Sequence, residues 1–185
     1  MGDLSDKELL AQFRNAQTQH YAFNRLVEKY QQKLYWHIRR MILDHDDSND
    51  VLQNTFLKAW KGLAGFREDA NLYTWLYRIA TNESLSFLRQ KRLKALVSFN
   101  DLSEELSENL VNDPYFNGDA LQLKLQKAIL QLPDKQRLIF NMKYFEEMKY
   151  EEMSEVLQTS VGALKASYHI AVKKIEKYMI DSLNQ

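Results

Sequence analysis

Residues 66–92 are the first stretch whose side chains could bind a ligand directly, reading FREDANLYTWLYRIATNESLSFLRQKR. Aromatic rings interleaved with guanidinium groups can stack on unpaired bases while the cations contact phosphates. Packing stays open as the other interpretation, because aromatic and apolar residues at three- and four-residue steps more often form the core stripe of a helix. That stripe would contain Leu72, Trp75, Leu76 and Ile79. The candidate nucleic-acid ligands in this stretch are Phe66, Arg67, Tyr73, Trp75, Arg78, Asn82, Arg89 and Arg92.

A second candidate lies at the C-terminal end, where YEEMSEVL (150–157) is followed by three polar residues and a helix from Val161 to about Ile180. This pattern predicts a helix-turn-helix, with Ser160 as the N-cap of the second helix. The second helix carries four lysines, and no acidic residue of that helix precedes Glu176, a charge pattern that suits phosphate contact. An ordinary helical hairpin with a solvated lysine face stays open as the alternative. The candidate DNA-facing residues are Ser160, Gly162, Lys165, Ala166, His169, Ile170 and Lys173.

A third surface is predicted on the helix that follows the acidic run DHDDSND (44–50). Its buried stripe should contain Leu52, Phe56, Ala59, Trp60 and Leu63. The opposite side of the same helical wheel carries Asp50, Asn54, Leu57, Lys58 and Lys61.

The elements that position these groups are all predicted to be helices. The chain of 185 residues has 5 Gly and 2 Pro, too few breakers for a sandwich or barrel. Four helices are expected in residues 1–94: one opened by a capping box at 5–8, one over 19–43, one capped by 44–50, and one over 71–92. Four more are expected beyond 120: one from Ala120, one from Pro133, and the two of the helix-turn-helix. The fold class is therefore all-α, with two small helical domains.

Charge divides the chain, although the net charge is zero. Residues 1–94 carry 15 basic and 11 acidic side chains, residues 95–119 carry 6 acidic and no basic ones, and residues 120–185 carry 10 basic and 8 acidic ones. This pattern predicts a flexible acidic linker, 95–119, between the two domains. The first ten residues lack the pattern of a signal peptide and no apolar run approaches the ~20 residues of a membrane helix. We therefore expect a cytoplasmic protein without membrane insertion.

Enzyme and metal functions are disfavoured. There is no Cys, which excludes thiolate chemistry. The acidic run 44–50 departs from a calcium loop, because position six is Asn49 and position twelve is Thr55. None of the phosphate-loop, dinucleotide or zinc-protease motifs occurs. We expect no catalytic residue, no metal and no cofactor.

Three segments together resemble the extracytoplasmic-function (ECF) group of bacterial RNA polymerase sigma factors: DVLQNTFLKAW (50–60), YTWLYRIATN (73–82) and residues 132–169. The resemblance covers nearly the whole chain in the right order. It implies that 1–94 is sigma region 2 and that 120–185 is sigma region 4. It also implies that the chain binds RNA polymerase core and directs it to promoters, with 95–119 running through the polymerase interior.

The resemblance also assigns residues to partners. Docking on a coiled coil of the largest polymerase subunit would use Asp50, Gln53, Asn54, Leu57, Lys58 and Lys61. Residues of 66–92 would melt the −10 element and capture a flipped base, and the helix from Val161 would bind the −35 element. Further implied partners are the flap of the second polymerase subunit and an anti-sigma factor.

Several positions depart from the group. Asn54 stands where many relatives have Glu, which weakens an expected charge contact. Lys149 stands where many have Ser or Thr, and lysine is a poor N-cap. Ile170 and Val172 stand where many have Arg or Lys; Ile170 is expected on the exposed face, against a thymine methyl or a regulator. The alternative function is a helix-turn-helix regulator acting without polymerase core, which would leave 50–61 and 66–92 unexplained.

Overall fold

The computed structural model describes residues 4–67, 71–95, 106–108 and 119–183, and those residues are helical apart from short turns. The first module (residues 1–94) contains four helices: α1 (Asp6–Phe13), α2 (Gln19–Ile42), α3 (His45–Leu63) and α4 (Leu72–Ala95). The second module (residues 120–185) contains four more: α5 (Ala120–Leu130), α6 (Asp134–Tyr144), α7 (Tyr150–Leu157) and α8 (Val161–Leu183). The all-helical prediction is confirmed.

Local capping explains where the helices of the first module begin. The Ser5 hydroxyl accepts a hydrogen bond from the Glu8 N–H (3.3 Å), and the Glu8 carboxylate accepts one from the Ser5 N–H (2.7 Å). This is the predicted capping box. The Asp44 carboxylate accepts from the Asp47 N–H (2.8 Å) and opens α3. Leu43, with a left-handed φ of 61°, ends α2 directly before it.

The helix-turn-helix is formed by α7 and α8. The bounds of α7 are those predicted, and α8 ends three residues later than predicted. The Lys149 side chain makes no capping bond, as predicted for a poor N-cap. Half of a capping box remains, because the Glu152 carboxylate accepts from the Lys149 N–H (3.0 Å). The turn contains Gln158 in the left-handed region, with a φ of 50°.

Each module has apolar side chains at its centre. In the first module the buried residues of α2 face α1, α3 and α4, and they include Leu26, Leu34 and Ile38. In the second module α5, α6 and α8 enclose Ile129, Phe140 and Ala171. A feature that the sequence analysis did not predict is that the modules also pack on each other: α6 lies against α2, and α7 lies against α4.

The predicted linker, 95–119, falls largely outside the described residues. Within it, residues 106–108 are helical, and Leu106 belongs to the same buried cluster as the first module. No helix in the described part of the chain is long and apolar enough to cross a membrane.

Candidate nucleic-acid interface

The outer face of α8 has the exposure expected of a groove-binding helix. Its inner stripe is buried through Leu164, Ala171 and Ile175. The candidate residues Ser160, Gly162, Lys165, Ala166, His169, Ile170 and Lys173 are all exposed. Ile170 keeps 46% of its surface in solvent, so its apolar side chain is accessible from outside the module. All seven candidate residues of this face are therefore accessible to solvent.

The start of α8 is held by side chains of the turn and of α7. The Ser160 hydroxyl accepts from the Ala163 N–H (3.3 Å), as predicted for an N-cap. The Lys165 ammonium lies over the Tyr150 ring, 5.6 Å from its centroid. A side chain added at Gly162 would meet nothing within 4 Å, so packing within the chain does not require glycine there. Open space at the helix start suits close approach to a groove.

The aromatic residues of α4 divide between the core and the surface. Leu72 and Leu76 are buried, as the packing interpretation predicted, while Tyr73, Trp75 and Arg78 are half-buried. Trp75 lies against α3, where a side chain at Gly62 would come within 3.0 Å of the indole. Arg67, Asn82 and Arg89 are exposed. The packing interpretation therefore fits Leu72 and Leu76, whereas the exposed Arg67, Asn82 and Arg89 remain available to a ligand.

Phe66 does not lie where a base-stacking residue should. Its side chain is only 6% exposed and packs on Trp75, with the ring centroids 5.2 Å apart. An Arg14 N–H donates to its carbonyl (3.4 Å). The loop after α3 folds the ring into the core, so Phe66 is not exposed for base stacking in this conformation, and its contact with DNA stays a prediction.

A cleft separates the exposed side of α4 from the helix-turn-helix. One part of it, with a volume of about 240 Å³, is lined by Arg78 and Asn82 from α4 and by Gln158 and Thr159 from the turn after α7. A second, more open part brings Arg78 and Trp75 opposite Glu155. Much of the predicted single-strand surface therefore faces the other module.

A buried polar network joins the modules beside this cleft. His37 of α2 is 1% exposed; its Nδ1 lies 3.0 Å from the Glu146 carboxylate and its Nε2 lies 2.9 Å from the Thr81 hydroxyl. Arg40 is 3.6 Å from the same carboxylate. Burial of Glu146 opposes ionisation, but the charge and hydrogen bond of His37 and the charge of Arg40 outweigh it, so the pKa of Glu146 is lowered below 4.5. Tyr77 of α4 also faces the network, and burial followed by the charge of Glu146 raises the pKa of its phenol.

A second ionic contact involves one of the candidate DNA-binding cations. The Arg92 guanidinium at the end of α4 donates to the Asp134 carboxylate at the start of α6 (2.6 Å). Asp134 also lies 3.4 Å from Arg137, which is almost completely buried. Burial lowers the pKa of Arg137 to about 10, although the charge of Asp134 opposes that shift. One carboxylate thus neutralises cations from both modules.

The third predicted surface, on α3, is separate from the other two. Asp50, Gln53, Asn54, Leu57, Lys58 and Lys61 are all exposed, as predicted. Phe56, Ala59 and Leu63 are buried on the opposite side. Leu57, 54% exposed, forms the rim of an apolar groove of about 410 Å³. Ring contacts shape the groove, with Phe23 and Trp60 centroids 4.9 Å apart.

The residues that join the modules were missed from the sequence. The sequence pattern does not single out His37, Glu146 or Asp134 as residues that join the modules. The one available signal was that His37 follows Leu34 and Tyr30 on the inward stripe of α2, where a polar side chain needs a buried partner. Its partner lies 109 residues away, so no local pattern identifies it. Within the described residues no group of three or more His, Asp or Glu side chains forms a metal site.

Comparison with known proteins places both modules. The family model "Sigma-70 region 2" matches residues 26–94, and "Sigma-70, region 4" matches residues 122–175. The RNA polymerase sigma-H factor of Pseudomonas aeruginosa is 32% identical over 84% of this chain and 85% of its own length. The ECF RNA polymerase sigma factor SigW of Bacillus subtilis is 30% identical over 86% of this chain and 90% of its own length.

Solved structures share the fold. CnrH in complex with the cytosolic domain of CnrY is 24% identical, with a TM-score of 0.69 over 96% of this chain and 97% of that one. The sigma factor RpoE in complex with the anti-sigma factor NepR from Bartonella quintana is 19% identical, with a TM-score of 0.65 over 85% of this chain and 96% of that one.

Proposed function

This chain belongs to the ECF group of sigma-70 family RNA polymerase sigma factors, and from that premise we propose which surface serves each step of initiation. The domains are assigned as region 2 (1–94), a linker (95–119) and region 4 (120–185). The observation that carries the proposal is the clean division of α8, whose apolar stripe is buried and whose seven candidate DNA-facing residues are all exposed.

The polymerase-docking surface is the exposed side of α3. A coiled coil presents apolar side chains at helical spacing, and such a helix fits a hydrophobic groove with a polar rim. The groove beside Leu57 has that character, and Asp50, Lys58 and Lys61 supply charges of both signs on the exposed surface of α3. Lys58 is paired with Glu83 of α4, which fixes the position of its ammonium on the docking helix.

The −35 element is bound by α8 in the major groove. Lys165 and Lys173 contact phosphate or guanine, and the exposed Ile170 contacts a thymine methyl, the apolar feature of that groove. Good base contacts discriminate by about 1–3 kcal/mol each. The modest number of such contacts suits a module whose affinity depends on its linkage to a second one through polymerase.

The −10 element is bound by α4 and the loop before it. Arg78 and Asn82 face the melted strand, Tyr73 and Trp75 supply aromatic surface, and Arg67, Arg89 and Arg92 contact the backbone. Phe66 is left out because its ring is buried. The acidic linker runs through a basic channel of the polymerase interior, where its negative charge mimics nucleic acid.

The remaining assignments follow from membership of the family. The protein uses binding energy and contains no catalytic residue or cofactor, and it acts in the cytoplasm where RNA polymerase is. The flap of the second polymerase subunit is a further contact for region 4. The fold is shared with proteins solved with CnrY and with the anti-sigma factor NepR, which supports an anti-sigma partner for this chain.

Run-off transcription with purified polymerase core tests the proposal. The wild-type chain should give a promoter-dependent transcript, and Leu57→Asp should lose core binding because a charge enters the apolar groove. The matched control is Leu121→Asp, the same substitution at a leucine that is 59% exposed on α5. No transcript from the wild type, or equal core binding by both variants, would contradict the proposal.

A further inference from the structure

Tyr150 is the residue through which α7 contacts the start of the DNA-facing helix. It is the first residue of α7, and two ammonium groups lie over its ring. The Lys143 ammonium of α6 is 5.0 Å from the ring centroid, and the Lys165 ammonium of α8 is 5.6 Å from it. Both distances fall within the ~6 Å over which the negative face of an aromatic ring attracts a cation. One ring therefore connects α6, α7 and α8.

The ring of Tyr150 is held in place by its packing. It lies against the buried cluster that contains Met153 and Leu164. The rings of Tyr150 and Tyr168 meet edge to face, with their centroids 6.5 Å apart, and Tyr168 stacks in turn on Phe140. Because these neighbours belong to three different helices, the ring keeps its position when surface side chains rotate.

The two lysines on the ring differ in their other contacts. The Lys143 ammonium also donates a hydrogen bond to the Met148 carbonyl (3.2 Å), so it has a second anchor. For the exposed Lys165, the ring is the one partner among the residues that the structure describes. Lys174, farther along α8, instead donates to the Gln136 side chain (2.9 Å). The position of the Lys165 ammonium therefore depends on the aromatic ring.

An aromatic partner leaves Lys165 able to bind DNA, whereas a carboxylate would not. A carboxylate would neutralise the ammonium and would accept the hydrogen bonds that DNA acceptors need. A neutral ring attracts the ammonium but leaves its charge and its N–H groups available. Because a lysine side chain has a large rotamer entropy, holding it over a ring beforehand also reduces the entropy lost when it binds.

The place of Lys165 in α8 indicates what its ammonium binds. It is the fifth residue of the helix, and base contacts of a helix-turn-helix come from the N-terminal residues of the second helix. Lysine pairs there with the O6 and N7 acceptors of guanine. We propose that Tyr150 is a positioning residue of the −35 interface, whose ring holds the Lys165 ammonium ready for a guanine without contacting the base itself. The inference rests on the proposed function of α8.

The test measures how tightly holoenzyme, made from the full-length chain and polymerase core, binds a promoter duplex that supports run-off transcription. Tyr150→Leu removes the ring and should weaken binding about two- to fivefold, the size of one exposed contact between a cation and a ring. Tyr150→Phe keeps the ring and should bind like the wild type.

Fluorinated phenylalanines at position 150 test the charge distribution of the ring separately from its shape. One, two or three ring fluorines keep the shape of phenylalanine but weaken the negative face that attracts a cation. Affinity for the promoter should therefore fall stepwise as fluorines are added. Because the packing is preserved, this series gives an answer even where Tyr150→Leu fails to fold.

Dependence on Lys165 distinguishes positioning from a purely structural role. In a Lys165→Gln background, Tyr150→Leu should weaken binding no further. In a Lys173→Gln background it should weaken binding by the same two- to fivefold, because Lys173 is an exposed lysine of α8 that does not lie over the ring. Replacing the guanines of the −35 element one at a time with 7-deazaguanine, which lacks the N7 acceptor, should abolish the effect of Tyr150→Leu at one position.

Four results would overturn the positioning role of Tyr150. They are unchanged affinity across the fluorinated series, a loss in Tyr150→Phe as large as that in Tyr150→Leu, an equal loss in the Lys165→Gln background, and an equal loss on every 7-deazaguanine promoter. The proposed function fails by a different measurement, the absence of run-off transcription by the wild-type chain with core. The two ideas can therefore fail separately.

Discussion

The buried contact between His37 and Glu146 determines how the two modules should unfold. Replacing His37 with alanine leaves the Glu146 carboxylate with Arg40 at 3.6 Å as its remaining charged neighbour. Removing one partner of a buried ion pair costs about 3–5 kcal/mol, because the other charge stays desolvated. Replacing Glu146 with alanine should cost less, about 1–3 kcal/mol, since the His37 ring keeps its hydrogen bond to Thr81.

Neither cost can exceed the free energy by which the two modules favour packing against each other. If leaving the group unpaired costs more than that packing contributes, the modules separate and the group becomes hydrated. The double variant His37→Ala/Glu146→Ala should therefore lose less stability than the sum of the single variants, with a coupling of about 0.5–3 kcal/mol. Once the modules have separated, the first module should unfold with the stability that it has without the second module.

Two spectroscopic probes can follow the modules separately. The three tryptophans, at positions 36, 60 and 75, all lie in the first module, whereas circular dichroism reports helices of the whole chain. In urea the two probes should give coincident curves for the wild type and separate curves for His37→Ala. His169→Ala, at an exposed histidine of α8, should leave them coincident. Strictly additive losses in the single and double variants, or wild-type curves that already separate, would refute the coupling of the modules through this pair.

Three further predictions concern single side chains. Because the pKa of Glu146 is lowered, its ionised carboxylate contributes fully to the packing of the two modules above its ordinary pKa of 4.5, and this contribution is lost as the pH falls through the lower pKa of the folded chain. Small-angle scattering in an acid titration should show the modules separating in that lower pH range. Glu146→Gln should abolish this pH dependence. Ile170→Ala should weaken binding of holoenzyme to its promoter about fivefold through one lost methyl contact, and the difference should vanish when uracil replaces the contacted thymine, whereas Ile180→Ala at the exposed end of α8 should have no effect. Lys149→Ser should raise stability by about 0.5–2 kcal/mol, because serine completes the capping box with Glu152; an unfolding temperature no higher than that of Lys149→Ala would contradict this.

Much of the local structure was predictable because its causes lie within a few residues. Ser5 and Glu8, three residues apart, hold the whole capping box, and the predicted exposed and buried sides of α3 follow from the helical repeat alone. The open face of α8 was predictable for the same reason. These features depend on i, i+3 and i+4 relations, which are visible in a linear pattern.

The fate of the aromatic residues in 66–92 was less predictable. The rings of Phe66 and Trp75 could in principle stack on unpaired bases, yet Phe66 is buried and Trp75 lies over Gly62. A ring at helical spacing satisfies either packing or base stacking, and the pattern is the same in both cases. Which of the two it does depends on how the loop after α3 meets the core.

The sequence by itself therefore determined the helices, their caps, the two-module order and the outward face of α8, since hydrophobic periodicity and short-range hydrogen bonds specify them. Only the tertiary structure decided that α7 would lie across α4 and that Glu146 would reach His37. That contact joins groups 109 residues apart, and its energy comes from burying matched apolar and charged surfaces that no local pattern records. That contact also makes the exposure of the candidate surface on α4 depend on how the whole chain is folded, whereas the outward face of α8 is exposed by its own helical repeat.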